Sequence, residues 1–81
     1  MFGLASKLLA RRRAWKSAVS LSAGILIRDE GDGAYFAARR FSRQARAEGN
    51  DKGDRFWGAV AVEVADRTGT VIGQAGRPDG V

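Results

Sequence analysis

Gly49-Asn50-Asp51-Lys52-Gly53 separates two stretches of the chain in which apolar residues recur at helical spacing. Gly49 is of the type that commonly ends a helix, and Asp51 is of the type that caps the start of the next one. The sequence therefore predicts two helices joined by a tight turn, the first over about residues 33–48 and the second over about residues 52–67.

A first helix is predicted upstream of this pair, over about residues 15–29, because apolar residues from Trp15 onward share one helical face and Gly31 then ends the run. The stripe of the second helix is narrow and rich in alanine, which suits close packing, and Asp32 is its expected cap. Gly69 is expected to end the third helix. The large side chains on the three stripes are the predicted core: Trp15, Ile25, Phe41, Phe56, Trp57, Val60 and Val64.

An alternative concerns the end of the third helix. Within residues 58–72, valines alternate with the two-residue period of a strand, so this segment also fits a β-hairpin. The helix is favoured because its period also places Phe56 and Trp57 on the apolar face, and the hairpin leaves both rings unassigned.

The predicted fold class is all-α. Residues 15–69 are expected to form a small three-helix domain, preceded by a basic helical extension over residues 1–14. Residues 70–81 are rich in glycine and are expected to form a flexible tail. With 81 residues in all, the chain can bury only a small apolar core.

The segment between Trp15 and Gly69 resembles a known kind of domain in the motifs of its second and third helices. The matching positions are Gly31, Ala34, Phe36, Ala38, Arg39 and Arg40, the turn Gly49-x-Asp51-x-Gly53, and Trp57, Val60, Ala61 and Val64. With these features the segment is similar to a small three-helix domain of unknown function found in short bacterial proteins. The resemblance implies a compact α-helical unit and supplies no known activity.

Composition excludes several kinds of chemistry. The chain contains no histidine and no cysteine, so disulfides, Cys/His metal sites, thiol catalysis and histidine general-base catalysis are ruled out. Carboxylates near the turn at residues 48–54 are interpreted as helix caps rather than as a calcium loop, because they lack its ligand spacing. No catalytic residue, metal site or cofactor is therefore predicted, and an enzyme is not expected.

Positive charge is concentrated near the N-terminus. The net charge is +5, and residues 1–28 carry six basic residues and no acidic one. A second basic feature is a stripe of arginines on the predicted second helix, next to an aromatic residue. Arginine binds phosphate and carboxylate in bidentate fashion, so both features are candidate binding surfaces. The candidate binding residues are Arg11, Arg12, Arg13, Phe36, Arg39, Arg40, Arg43 and Arg46.

The function expected from these features is that of a non-catalytic accessory or adaptor protein, which docks on another macromolecule, most readily a protein, through its helix faces. One alternative is nucleic-acid binding through the N-terminal basic residues and the stripe of Arg39, Arg43 and Arg46. Self-association is a further expectation, because the small core leaves apolar surface to cover.

A second alternative is association with an anionic membrane surface through residues 1–13, where several apolar side chains precede Arg11 to Arg13. The apolar run over residues 17–27 is interrupted by serines and is too short to span a bilayer. It also lacks a cleavage site of the kind that follows a secretory signal. A cytoplasmic location is therefore expected. The apolar side chains in question are Phe2, Leu4, Leu8 and Leu9.

Overall fold

The computed structural model describes residues 2–70, with side chains from Leu9 onward. The described residues form three α-helices: α1 over Phe2–Glu30, α2 over Ala34–Ala47 and α3 over Asp51–Thr68. A short 3-10 turn over Gly31–Gly33 joins α1 to α2. Residues 2–70 contain no strand, so the all-α prediction is confirmed.

The third helix resolves the alternative at its end. Because α3 continues to Thr68, the hairpin does not form within the described chain. Gly69 ends α3 in the left-handed conformation, with φ of 73°, as predicted. The segment for which a flexible tail is predicted lies, beyond Thr70, outside the described residues.

Helix α1 is longer than the apolar periodicity predicts. It begins at Phe2 rather than near residue 15, so the basic extension and the first predicted helix are one continuous helix of 29 residues. The extension is rich in Ala, Leu, Lys and Arg, all strong helix formers, which explains a helix without a focused apolar stripe. Every residue from Leu9 to Ala18 is exposed. Across residues 2–70, no helix is both long and apolar enough to cross a membrane.

The helices run up, down and up. Trp15 of α1 packs against Phe56 near the start of α3, whereas Ser20, further along α1, accepts a hydrogen bond from Arg67 near the end of α3. Helices α1 and α3 therefore point in the same general direction, and α2 runs the opposite way. The most extensive contact is that of α2 with α3.

The short turn between α2 and α3 satisfies the last backbone carbonyls of α2. Gly49 has a φ of 76°, in the left-handed region that favours glycine. Its N–H donates to the carbonyl of Arg46 at 3.0 Å, and the N–H of Asn50 donates to the carbonyl of Ala45 at 2.8 Å. This pair of bonds is the Schellman arrangement that satisfies the last carbonyls of a helix.

Both predicted helix caps are wrong. The side chain of Asn50, not of Asp51, caps α3: its Oδ1 accepts the N–H of Gly53 at 2.9 Å. Asp32 lies inside the 3-10 turn, and Gly33 occupies the cap position of α2 without a side-chain hydrogen bond. The 3-10 turn ends at Gly33 and α2 begins at Ala34, within one residue of the predicted start.

The core is built mainly of small side chains. Alanines supply most of it, which suits close helix packing and leaves few large side chains inside. Ser42 is also buried. The buried apolar residues are Val19, Ala23, Leu26, Ala34, Ala37, Ala38, Ala45, Val60, Ala61, Val64 and Ala65.

Only some of the large side chains of the predicted core are buried. Val60 and Val64 are fully buried, as predicted, and Phe56 and Trp57 are half-buried against the core. Trp15, Ile25 and Phe41 lie at the surface instead, with 44%, 40% and 37% of their area exposed. For Trp15 the reason is its place in α1, because residues 9–18 are exposed throughout.

Replacing Asn50 with alanine removes the cap of α3, and we expect a loss of about 1 kcal/mol in the free energy of unfolding. Asn50→Asp keeps an oxygen that can accept the N–H of Gly53, so it should unfold close to the wild type. Urea unfolding, monitored by circular dichroism, measures the free energy of unfolding of both variants. Equal stability of the alanine and aspartate variants would show that the side chain does not cap the helix.

Candidate functional site

Four aromatic side chains form a row that crosses all three helices. The rings of Trp15 and Phe56 are perpendicular, with centroids 5.4 Å apart. Phe56 contacts Trp57 at 5.2 Å, and Trp57 contacts Phe41 of α2 at 4.8 Å. Perpendicular and tilted contacts at these distances are favourable between aromatic rings. The row therefore holds Trp15, an exposed residue of α1, in a defined position on the bundle.

Trp15 borders two open depressions lined by cationic side chains. The first, of about 510 Å³, is lined by Trp15 with three basic residues of α1. The second, of about 500 Å³, is lined by Trp15 with two basic residues of α3. Both volumes fall in the range of small-ligand pockets. We call this surface the basic end; its residues are Arg11, Arg12, Trp15, Lys16, Lys52 and Arg55.

The basic end combines charges that are distant in the sequence. All five of its cationic residues are exposed. Three carboxylates, Glu48, Asp51 and Asp54, are near Lys52 and Arg55 in the sequence, and that of Asp54 is paired with Arg46. The five cations of the basic end therefore still outnumber the acids. Such a surface attracts phosphate and other polyanions, and its exposed indole offers apolar ring surface beside them.

The arginine stripe of α2 is only partly available for binding. Arg46 donates from Nε to Oδ2 of Asp54 at 3.0 Å and so ties α2 to the start of α3. Arg39 is half-buried, whereas Arg40 and Arg43 are exposed. The helical face that the sequence indicates is therefore present, but one of its three arginines already has a carboxylate partner.

Asp54 is the centre of a small polar network. The hydroxyl of Ser42, which is buried, donates to a carboxylate oxygen of Asp54. This hydrogen bond, followed by that from Arg46 and the charges of Arg46 and Arg39, lowers the pKa of Asp54 below its ordinary value of 3.8. The hydrogen bond between Arg46 and Asp54, together with the charge of Asp54, raises the pKa of Arg46. The network is structural, because it joins α2 and α3 through buried and paired groups.

The remaining candidates lie in separate places. Phe36 is exposed at the start of α2, with its ring against Tyr35 at 5.5 Å. Arg13 is exposed on α1. The structure thus brings Arg11 and Arg12 together with Trp15 rather than with the stripe of α2.

Lys16 is among the N-terminal basic residues of the nucleic-acid alternative, whereas the contribution of Lys52 and Arg55 to this surface and the exposure of Trp15 are not predicted. One local signal in the sequence could have indicated an aromatic residue among cations: Trp15 lies between Arg11-Arg12-Arg13 and Lys16. In the part of the chain that the structure describes, no group of three or more carboxylates is placed to hold a metal ion.

Comparison of the chain with protein-family models, curated proteins and solved structures finds no match. The resemblance to a three-helix domain of bacterial proteins therefore stays a prediction, and the site has to be interpreted from its own geometry.

Ser42→Ala removes the hydrogen bond that contributes most to the low pKa of Asp54, so we expect this carboxyl to titrate at a higher pH in the variant. The pKa is lower in the folded than in the unfolded chain. The ionised Asp54 therefore stabilises the fold above pH 3.8, and this contribution is lost as the pH falls through the folded-state pKa.

Carbon-detected NMR of the Asp54 carboxyl measures the pKa directly. Urea unfolding of Asp54→Asn beside the wild type supplies an independent check: the variant should be less stable near neutral pH, and the difference should shrink in acid. A difference in stability that is the same at every pH would contradict the role given to the charge.

Proposed function

We propose that this chain is a non-catalytic binding protein that docks on a nucleic acid through the basic end. The observation that supports this is the convergence of Arg11, Arg12 and Lys16 of α1 with Lys52 and Arg55 of α3. They surround one exposed tryptophan that is held in place by other rings. Phosphates are the ligands that arginine and lysine bind together most readily along an extended surface.

A membrane surface fits this region less well. Arg11, Arg12 and Arg13 are consecutive in a helix, so at about 100° per residue they span about 200° of its circumference. The remaining arc of this turn carries Ala10 and Ala14, whose small side chains offer little apolar area to a lipid interface. Of the four apolar residues in the membrane hypothesis, Leu9 is exposed, and the side chains of Phe2, Leu4 and Leu8 lie outside the described residues. A cytoplasmic location accompanies the proposal.

Affinity for nucleic acid should fall with salt concentration by an amount that the number of cations determines. If all five cations neutralise phosphates, the plot of log affinity against log salt concentration has a slope of roughly −3.5 to −4.5, since each phosphate contributes about −0.7 for single strands and −0.9 for duplexes. Fluorescence anisotropy of a fluorescein-labelled mixed-sequence DNA, titrated with the protein at several salt concentrations, measures this slope.

Two double variants with the same loss of charge test where the nucleic acid binds. Arg12→Gln with Arg55→Gln removes one cation from each depression, and we expect weaker binding and a salt slope smaller by roughly 2. Arg40→Gln with Arg43→Gln, at the exposed Arg43 of the α2 stripe and the exposed Arg40 beside it, is the matched control and should leave affinity nearly unchanged. Weaker binding in the α2 variant alone would move the binding site to that stripe.

A second candidate function, docking on a protein, is supported by a different part of α1. Leu21 and Ile25 lie one helical turn apart, and both are exposed, Leu21 by 67%. A second copy of the chain is the partner that can be tested directly. Sedimentation equilibrium of the wild type beside Leu21→Ser with Ile25→Ser measures it. A wild-type dimer that the double variant loses would favour this function, and a wild-type monomer would count against it.

A further inference from the structure

The indole of Trp15 combines exposure with a fixed position. Nearly half of its surface is open to solvent. Its ring is nevertheless held edge to face against Phe56, which packs against Trp57 in turn. An exposed ring without such support adopts several rotamers and loses entropy when a ligand orders it. Because Phe56 already restricts the ring of Trp15 in the folded chain, a ligand that stacks on it orders little further, and Trp15 is preorganised for a flat partner.

The cations around Trp15 are placed for a chain of phosphates rather than for a single anion. The depression on the α1 side is bordered by Arg11, Arg12 and Lys16, and that on the α3 side by Lys52 and Arg55. Trp15 borders both. A ligand that contacts the indole therefore has cationic groups before and after the point of contact.

Alternating phosphates and planar bases match this arrangement. Proteins that bind single strands combine a cationic track for the backbone with aromatic side chains on which bases stack. In a duplex the bases are already paired and stacked on one another, so a duplex can engage the cations but offers no free base to the indole.

We propose that the basic end binds single-stranded nucleic acid, with an unpaired base stacked on the indole of Trp15. The proposal rests on the proposed function and adds to it the strandedness of the partner and the role of one residue. The arginines and lysines then hold the phosphates on either side of the stacked base.

The test compares three DNA ligands of equal length on the wild-type protein: a mixed-sequence single strand, its duplex, and a single strand with abasic sites throughout its centre. Fluorescence anisotropy measures each affinity at one salt concentration. We expect the mixed single strand to bind about tenfold or more tightly than the abasic strand, which keeps the phosphates but lacks the bases that stack. The duplex should also bind more weakly than the single strand.

Variants of Trp15 assign the effect to the indole. Trp15→Leu should weaken binding of the mixed strand about 10- to 100-fold and leave the abasic strand nearly unchanged, whereas Trp15→Phe should retain most of the affinity. Circular dichroism and thermal unfolding check that both variants remain folded. The abasic comparison on the wild type does not depend on their folding.

The outcomes separate this proposal from the one on which it rests. Salt-dependent binding of all three ligands with equal affinity would overturn base stacking and leave nucleic-acid binding intact. No binding of any ligand would overturn both. Tight, Trp15-dependent binding to phosphatidylglycerol vesicles, with no binding to the single strand, would assign the basic end to a membrane and overturn both proposals.

Discussion

Asn50 is the residue on which the geometry of the bundle depends. Its backbone N–H completes the C-terminal cap of α2, while its side chain caps the start of α3, so one residue closes one helix and opens the next. A Cβ at Gly53 would lie 2.5 Å from Nδ2 of Asn50, so a larger residue there would push the capping side chain aside. A connection this short leaves the two helices little freedom in their relative direction. It also brings the first turn of α3, with Lys52 and Arg55, to the side of α1 that carries Trp15.

Periodicity predicts the helices well because a helix that packs in a bundle needs an apolar face, and the glycines at 31, 49 and 69 end those helices as expected. The caps are less predictable, since Asn50 and Asp51 are both good caps and only the path of the chain decides between them. The helical extension over residues 1–14 is predicted, but its continuity with the first helix is not. Residues 9–18 are exposed and rich in strong helix formers, so intrinsic propensity accounts for the helix there and leaves no apolar stripe to detect.

The candidate site shows where sequence reasoning fails for physical reasons. Trp15 lies on an apolar stripe and is therefore assigned to the core, yet it belongs to the stretch of α1, residues 9–18, that is exposed throughout, and its ring packs against Phe56 at the rim of the bundle. Arg46 lies on a basic stripe and is assigned to binding, yet it forms an ion pair with Asp54 across the α2–α3 contact. Both errors have one origin. A residue's face on its own helix can be derived from spacing, whereas its neighbours on other helices depend on the packing of the bundle.

The central claim is that this packing assembles a nucleic-acid-binding surface from α1 and the start of α3. The most direct test is to titrate isotopically labelled protein with a mixed-sequence single strand and to follow the backbone amide signals by NMR. The account predicts that the largest shifts fall in two separate segments, around Arg11 to Lys16 and around Lys52 to Phe56. Shifts confined to Arg39–Arg46, or to the opposite end around Glu63 to Arg67, would contradict it.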